Sequence, residues 1–214
     1  MMNHKLGKHQ RAVISPIVDM SPRENVDCII TAAGLSSRMG QWKMMLPYNG
    51  GTILDSSIEN ARQFCQRIIL VVGYRGEELL ARYNNESDIT VIINNNYASG
   101  LFSSIQAAGK NVNTEYCFIT HGDIPCLNRE IYHQIWLKRG PYALLPCHQG
   151  TPGHPVLLPK KIIQQACMDD VTPTSMREFL LAGEYRYLNM NQPQTVLDID
   201  TPEAYQLLLG TSHD

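Results

Sequence analysis

An α/β fold in three layers, a mostly parallel mixed sheet with helices on both faces, is predicted by three features of the sequence. Strand-like apolar runs alternate with helical patterns from Val26 onward. Runs such as VDCIITAA and RIILVVGY are nearly continuous in Val, Ile and other apolar residues, as strands covered on both faces are. In the second half two strand runs follow each other closely, which adds some antiparallel pairing.

The elements follow in order. Residues 26–33 are a strand. Residues 52–65 are a helix, with Leu54, Ile58, Ala61 and Cys65 on one face. Residues 67–74 are a buried strand that stops at Gly73. A short helix over 77–83 and a strand over 89–95 come next, then a helix from Leu101 to about Gly109. Residues 116–123 are a strand, and 128–140 an amphipathic helix ending at Gly140. Strands over 142–147 and 154–159 are joined through HQGTPG. Helices over 160–168 and 174–183, strands over 185–190 and 195–200, and a helix over 201–210 with a proline near its start complete the pattern.

The chain has 214 residues, which suits one domain with a single core. Residues 1–25 carry Pro16 and Pro22, make a poor signal peptide and read as a mobile extension; residues 26–214 read as the domain. Hydrophobic residues make up 43% and charged residues 18%, with a net charge of -2, so no basic excess points to nucleic acid or an anionic membrane. The apolar runs are far short of the roughly 20 residues of a membrane-spanning helix. Six cysteines without a C-x-x-C pair read as reduced thiols of a cytoplasmic protein.

In sheets of this class ligands bind beyond the carboxyl ends of the strands. TAAGLSSRMGQWK, residues 31–43, follows the first strand. Ala32, Ala33 and Gly34 let a ligand approach the backbone, whose N–H groups can cradle an anion. Arg38 offers a planar fork and Lys43 a compact charge, a combination suited to a triphosphate. Neither the dinucleotide fingerprint nor the P-loop spacing is present. HGDIP ends another strand, and Asp123 there suits a hard cation shared with phosphate oxygens, or a turn or helix cap. In LDIDTPEAY, Asp198 and Asp200 alternate at a strand end and would face opposite sides, so at most one should reach a given metal; Asp200 or Thr201 could equally cap the last helix. His154, between Gly153 and Pro155, is a candidate substrate contact or a packed turn residue.

Together TAAGLSSRMGQWK, SGLFSSI, HGDIP, GHPVLL and DIDTPE resemble, in order and spacing, the MobA-like nucleotidyltransferases of molybdenum cofactor maturation, and among them the cytidylyl-transferring members that serve molybdenum hydroxylases. The likeness runs from about Val26 to Leu209. It implies a Rossmann-like αβα nucleotidyltransferase fold, and transfer of CMP from CTP to the terminal phosphate of the molybdopterin cofactor with release of pyrophosphate. It implies that Ala32, Ala33, Gly34, Ser36, Ser37, Arg38, Met39, Gly40 and Lys43 hold the nucleotide, with Gly73, Ser99, Gly100 and Ser104 lining its side of the cleft. Lys43, Arg38 and Asp123 would be catalytic. Magnesium would sit on Asp123, with Asp200 and Asp198 as further candidates. A molybdenum hydroxylase apoenzyme would be a partner; nucleic acid and membrane would not. Another nucleoside triphosphate or a sugar- or alcohol-phosphate acceptor, or a non-catalytic carrier of the cofactor, remain alternatives.

Overall fold

The central strands of this chain are buried on both faces, and the alternation of their side chains builds two separate apolar layers. The computed structural model describes residues 22–168, 171 and 175–210. Strand β1 (Glu24–Ala32) sends Val26, Cys28, Ile30 and Ala32 to one layer and Ile29 to the other; β4 (Cys65–Val72) likewise sends Ile68, Leu70 and Val72 one way and Ile69 and Val71 the other. The first layer is closed by helix α1 (Ile53–Arg62), α2 (Gly76–Tyr83) and α4 (Arg129–Trp136). The second is closed by α3 (Leu101–Gly109), α5 (Lys160–Ala166) and α6 (Met176–Leu181). This is the three-layer mixed α/β sandwich that the sequence predicts.

The main sheet has eight strands. β5 (Ile89–Ile93), β4, β1 and β6 (Tyr116–His121) run parallel side by side. Next come β9 (Val156–Pro159), antiparallel to both its neighbours, then β7 (Ala143–His148) and the parallel edge strand β10 (Tyr185–Asn189). β8 (Thr151–Pro152) folds back on β7, so HQGTPG is a hairpin turn. A small separate ribbon pairs β2 (Pro47–Tyr48) with β3 (Gly51–Thr52), and Thr52 then forms a capping box with Asp55 to start α1.

Some boundaries move. Cys65 opens β4 and is not on the helix that holds Leu54, Ile58 and Ala61. Helix α4 stops at Trp136, short of Gly140. β1 begins at Glu24, whose N–H bonds the Phe64 carbonyl at 2.7 Å, and Arg23 pairs with Asp88 at 2.7 Å. The first strand therefore begins upstream of Val26; residues 1–21 of the expected extension lie outside the described residues.

The largest correction concerns residues 195–200, which are not a strand. Pro193–Val196 is a 3-10 turn, and the Ile199 N–H bonds the Asp123 carbonyl at 2.9 Å instead of joining a ladder. Ile199 is buried with Met39, Leu46, Ile53 and Leu208, the last from α7 (Pro202–Gly210). This third cluster ties the end of the chain to the loop after β1. The six cysteines are free thiols, four of them buried. Among the described residues no helix is long and apolar enough to cross a membrane.

Candidate functional site

A cavity of about 330 Å³ opens beyond the carboxyl ends of β1 and β6. The loop after β1 supplies Ala33, Gly34, Arg38 and Lys43; the junction before α3 supplies Tyr97 and Gly100, and the start of α3 supplies Leu101 and Ser104; the end of β6 and the turn after it supply His121 and Asp123; the segment before α7 supplies Asp198 and Asp200.

Local sequence explains each placement. The loop turns through Ser36 in the left-handed region (φ 54°) and Gly40 (φ 64°), which bound a 3-10 turn over Ser37–Met39. The Ser36 hydroxyl accepts the Lys43 N–H at 3.3 Å, so it closes the loop. Gly100, at φ 97°, sits just before α3 in a conformation that side chains disfavour. At Gly122 a Cβ would lie 2.8 Å from Leu54 Cδ1 and 3.1 Å from the Met44 sulfur, so those side chains would have to shift to admit one.

The charged groups converge. Lys43, 8% exposed, places its Nζ between the carboxylates of Asp123 and Asp200, the second at 2.5 Å. Arg38 reaches Asp200 at 2.5 Å, but its side chain is 72% exposed, so it can swing to an incoming anion where Lys43 already lies at the wall. Burial would lower the Lys43 pKa, but Asp123 and Asp200 outweigh it and raise it, keeping the ammonium charged. Burial likewise pushes Asp200 up, yet the hydrogen bond and charge of Lys43, and then Arg38, bring it below the ordinary carboxylate value. Asp198 goes up, through desolvation first and the charge of Asp200 second.

Asp123 Oδ1 is buried and has no hydrogen-bond partner, so one hard oxygen of the site is unmatched. Among the described residues no three His, Cys, Asp or Glu side chains form a ready-made metal cage. One or two carboxylates with an unmatched oxygen at the wall of a cavity fit a hard divalent cation.

Several expected residues stand outside the cavity wall. Ala32 faces the first apolar layer, opposite to its neighbours Thr31 and Ala33, because side chains alternate along β1. Met39 is packed in the third cluster. A Cβ on Gly73 would lie 2.5 Å from Tyr97, so that ring covers it. Ser99 lines a different groove of about 670 Å³, with Asn94, Phe102 and Gln106. Asp198 and Asp200 both line the one cavity, since the backbone there is not a strand; Thr201, whose hydroxyl accepts the Ala204 N–H at 3.2 Å, caps α7. His154 stands behind His121, with ring centroids 4.2 Å apart and its Nδ1 at 3.4 Å from the Ile119 carbonyl.

Thr31, Tyr97 and His121 were not singled out by sequence reasoning. Thr31 and His121 lay inside the quoted motifs, two residues before Ala33 and Asp123, and strand alternation alone puts them on the same face as these. Burial, and then Lys43, hold His121 down at about 4; burial, and then His121, hold His154 at about 3. An unfolded histidine titrates near 6.5, so below that pH the unfolded chain binds more protons. Stability contributed by both rings is present above about pH 6.5 and is lost as pH falls towards about 4 and 3. Urea midpoints measured from pH 7 to pH 4 should fall, and should fall less in His154→Phe; parallel profiles would show that His154 does not titrate with unfolding.

Residues 28–182 match the family model of the MobA-like NTP transferase domain. The chain is similar to the molybdenum cofactor cytidylyltransferase of Escherichia coli (strain K12), 55% identical over 180 residues, which cover 84% of this chain and 93% of that protein. Among solved structures it resembles Rv0371c from Mycobacterium tuberculosis, with a TM-score of 0.74 at 21% identity over 87% of this chain and 99% of that one. A manganese complex of the same protein superposes with a TM-score of 0.68 at 20% identity, covering 88% and 100%. At such identities the structural likeness speaks for the fold.

Proposed function

The chain belongs to the MobA-like NTP transferase family, and from that membership we propose that it transfers CMP from CTP to the terminal phosphate of the molybdopterin cofactor. The observation that carries this reading is the convergence of Lys43, Arg38, Asp123 and Asp200 in one cavity at the end of a loop of small residues, in a chain that is 55% identical to a curated molybdenum cofactor cytidylyltransferase. In the reaction an oxygen of the acceptor phosphate bonds to the α-phosphorus of CTP. The bond from that phosphorus to the bridging oxygen breaks, and pyrophosphate leaves with the electron pair. The nucleophile is already anionic at neutral pH, so the site needs no general base. Its task is to screen anion from anion and to hold the phosphates in line.

The residues suit that task. Lys43 and Arg38 now bind carboxylates and can exchange them for phosphate oxygens in the same cavity. Gly34 and Gly100 leave open space at the walls. Asp123, with Asp200 or Asp198 as a second carboxylate, would hold a divalent cation, magnesium in our reading; when bound, it would neutralise charge on the phosphates. The free cysteines suit a reducing compartment, the cytoplasm. An apo-hydroxylase would take the product.

Pyrophosphate release with molybdopterin and each of CTP, GTP, ATP and UTP tests the reading: CTP should be preferred. Ala33 lines the cavity, and its methyl group stands where the resemblance gives guanylyl-transferring relatives a glycine. By analogy with an overfilled core, one methyl group too many discriminates about tenfold to a hundredfold against a larger base. The ratio of kcat/KM for CTP over GTP should therefore drop in Ala33→Gly. An unchanged ratio removes Ala33 as the selector, and a wild-type preference for GTP overturns the cytidylyl assignment.

A further inference from the structure

The cavity has two sides, and the sheet order assigns them. Gly100, Leu101 and Ser104 come from beyond β5, on one side of β1; His121 comes from β6, on the other, where β9 follows. The loop after β1 and the start of α3 form the nucleotide side in the reading given above. The β6 side is left for the acceptor, and the polar side chain it presents besides Asp123 is His121.

The His121 ring is held on two sides. In register with Thr31 across the β1–β6 pair, its Nδ1 lies 2.7 Å from the Thr31 hydroxyl. The alternative acceptor for that hydroxyl, the Thr120 carbonyl, is at 3.5 Å, a much poorer bond. The shorter contact favours Thr31 as the donor to Nδ1, which leaves the proton of the neutral ring on Nε2, an atom with no hydrogen-bond partner among the described residues. His154 packs edge-on against the ring and is itself anchored near the Ile119 carbonyl and, through its own N–H, on the Thr195 carbonyl at 2.7 Å. β9 runs antiparallel to β6, with Val156 opposite Ile119, which brings the residues just before β9 beside the end of β6.

We infer that His121 is an acceptor-binding residue: its Nε2–H donates to an oxygen of the acceptor's phosphate monoester, while Thr31 fixes the tautomer and His154 fixes the ring. Thr31 and His154 are positioning residues. The inference rests on the cytidylyl-transfer reading, whose acceptor is a phosphate.

Steady-state kinetics with molybdopterin and CTP, together with calorimetric titration of CTP and magnesium, test it. In His121→Leu, kcat/KM for molybdopterin should fall about tenfold to a hundredfold, the effect of one hydrogen bond to a charged group, while the CTP dissociation constant stays within about twofold. His121→Gln, which offers an N–H at similar reach, should recover much of the loss and guards against a misfolded leucine variant. Imidazole nitrogen chemical shifts should report the Nε2–H tautomer in the wild type and its loss in Thr31→Val. If the wild type turns over but His121→Leu keeps its acceptor kcat/KM, or weakens CTP binding instead, the inference is wrong and the cytidylyl reading stands. A proton on Nδ1 in the wild type also overturns it. If the wild type releases no pyrophosphate from CTP and molybdopterin, both fail.

Discussion

Asp123→Asn should fold normally and lose nucleotidyl transfer, with kcat down about a hundredfold to a thousandfold or more. The side chain lies at the cavity wall with one oxygen on Lys43 and the other buried without a partner. An amide preserves the shape and a link to Lys43 but removes the hard anionic oxygen. The local fold does not depend on that oxygen: the Asp123 carbonyl, not its carboxylate, receives the Ile199 N–H at 2.9 Å, and the Gly122 N–H bonds the Thr31 carbonyl at 3.0 Å. Circular dichroism with pyrophosphate release at several magnesium concentrations checks this. A folded variant with near-normal turnover would remove Asp123 from the role of principal metal ligand.

Lys43→Ala should cost turnover by a comparable factor, for a different reason. It withdraws the buried ammonium and leaves Asp123, Asp198 and Asp200 facing one another with Arg38 alone to offset them. Breaking a buried pair by removing one partner typically costs about 3–5 kcal/mol of stability. Lys43→Met, which keeps the length of the side chain, separates a charge effect from packing. Because the Lys43 pKa is raised, its contribution is complete below the unfolded value near 10.4 and is lost only at higher pH; loss of stability as pH falls below about 6.5 therefore does not come from Lys43. Wild-type rates in Lys43→Ala would make Lys43 a purely structural ion-pair partner.

Much of this architecture was legible because its causes are local. Strands covered on both faces need unbroken apolar runs, so β1, β4 and β6 announced themselves, and the small residues and cations of the loop after β1 are close together in the sequence and reach one cavity together. Asp123 was legible as the first carboxylate beyond a buried strand. What escaped is set by partners distant in sequence. The period-2 pattern of residues 195–200 reads as a strand, yet Ile199 is drawn to Met39 and Leu208, and Asp198 and Asp200 turn to one cavity. A motif also does not say which way each of its side chains points: Ala32, at the end of β1, and Met39, in the loop after it, pack in apolar clusters. That His121 lines the cavity while His154 packs against its ring follows from the insertion of β9 beside β6, a non-local pairing that no short window records.

The cluster of Met39, Leu46, Ile53, Ile199 and Leu208 lies apart from the two layers that hold the sheet together, and it is the smallest of the three. Arg38 and Lys43 belong to one of the segments it joins, Asp200 to the other. Elements held by few buried contacts open locally at a lower free energy than the whole domain unfolds. Heat or denaturant is therefore expected to loosen this joint, and to part Arg38 from Asp200, before β1, β4 and β6 separate. The urea midpoint for loss of pyrophosphate release should then lie below the midpoint read by circular dichroism; coincident midpoints would make the joint part of one cooperative unit.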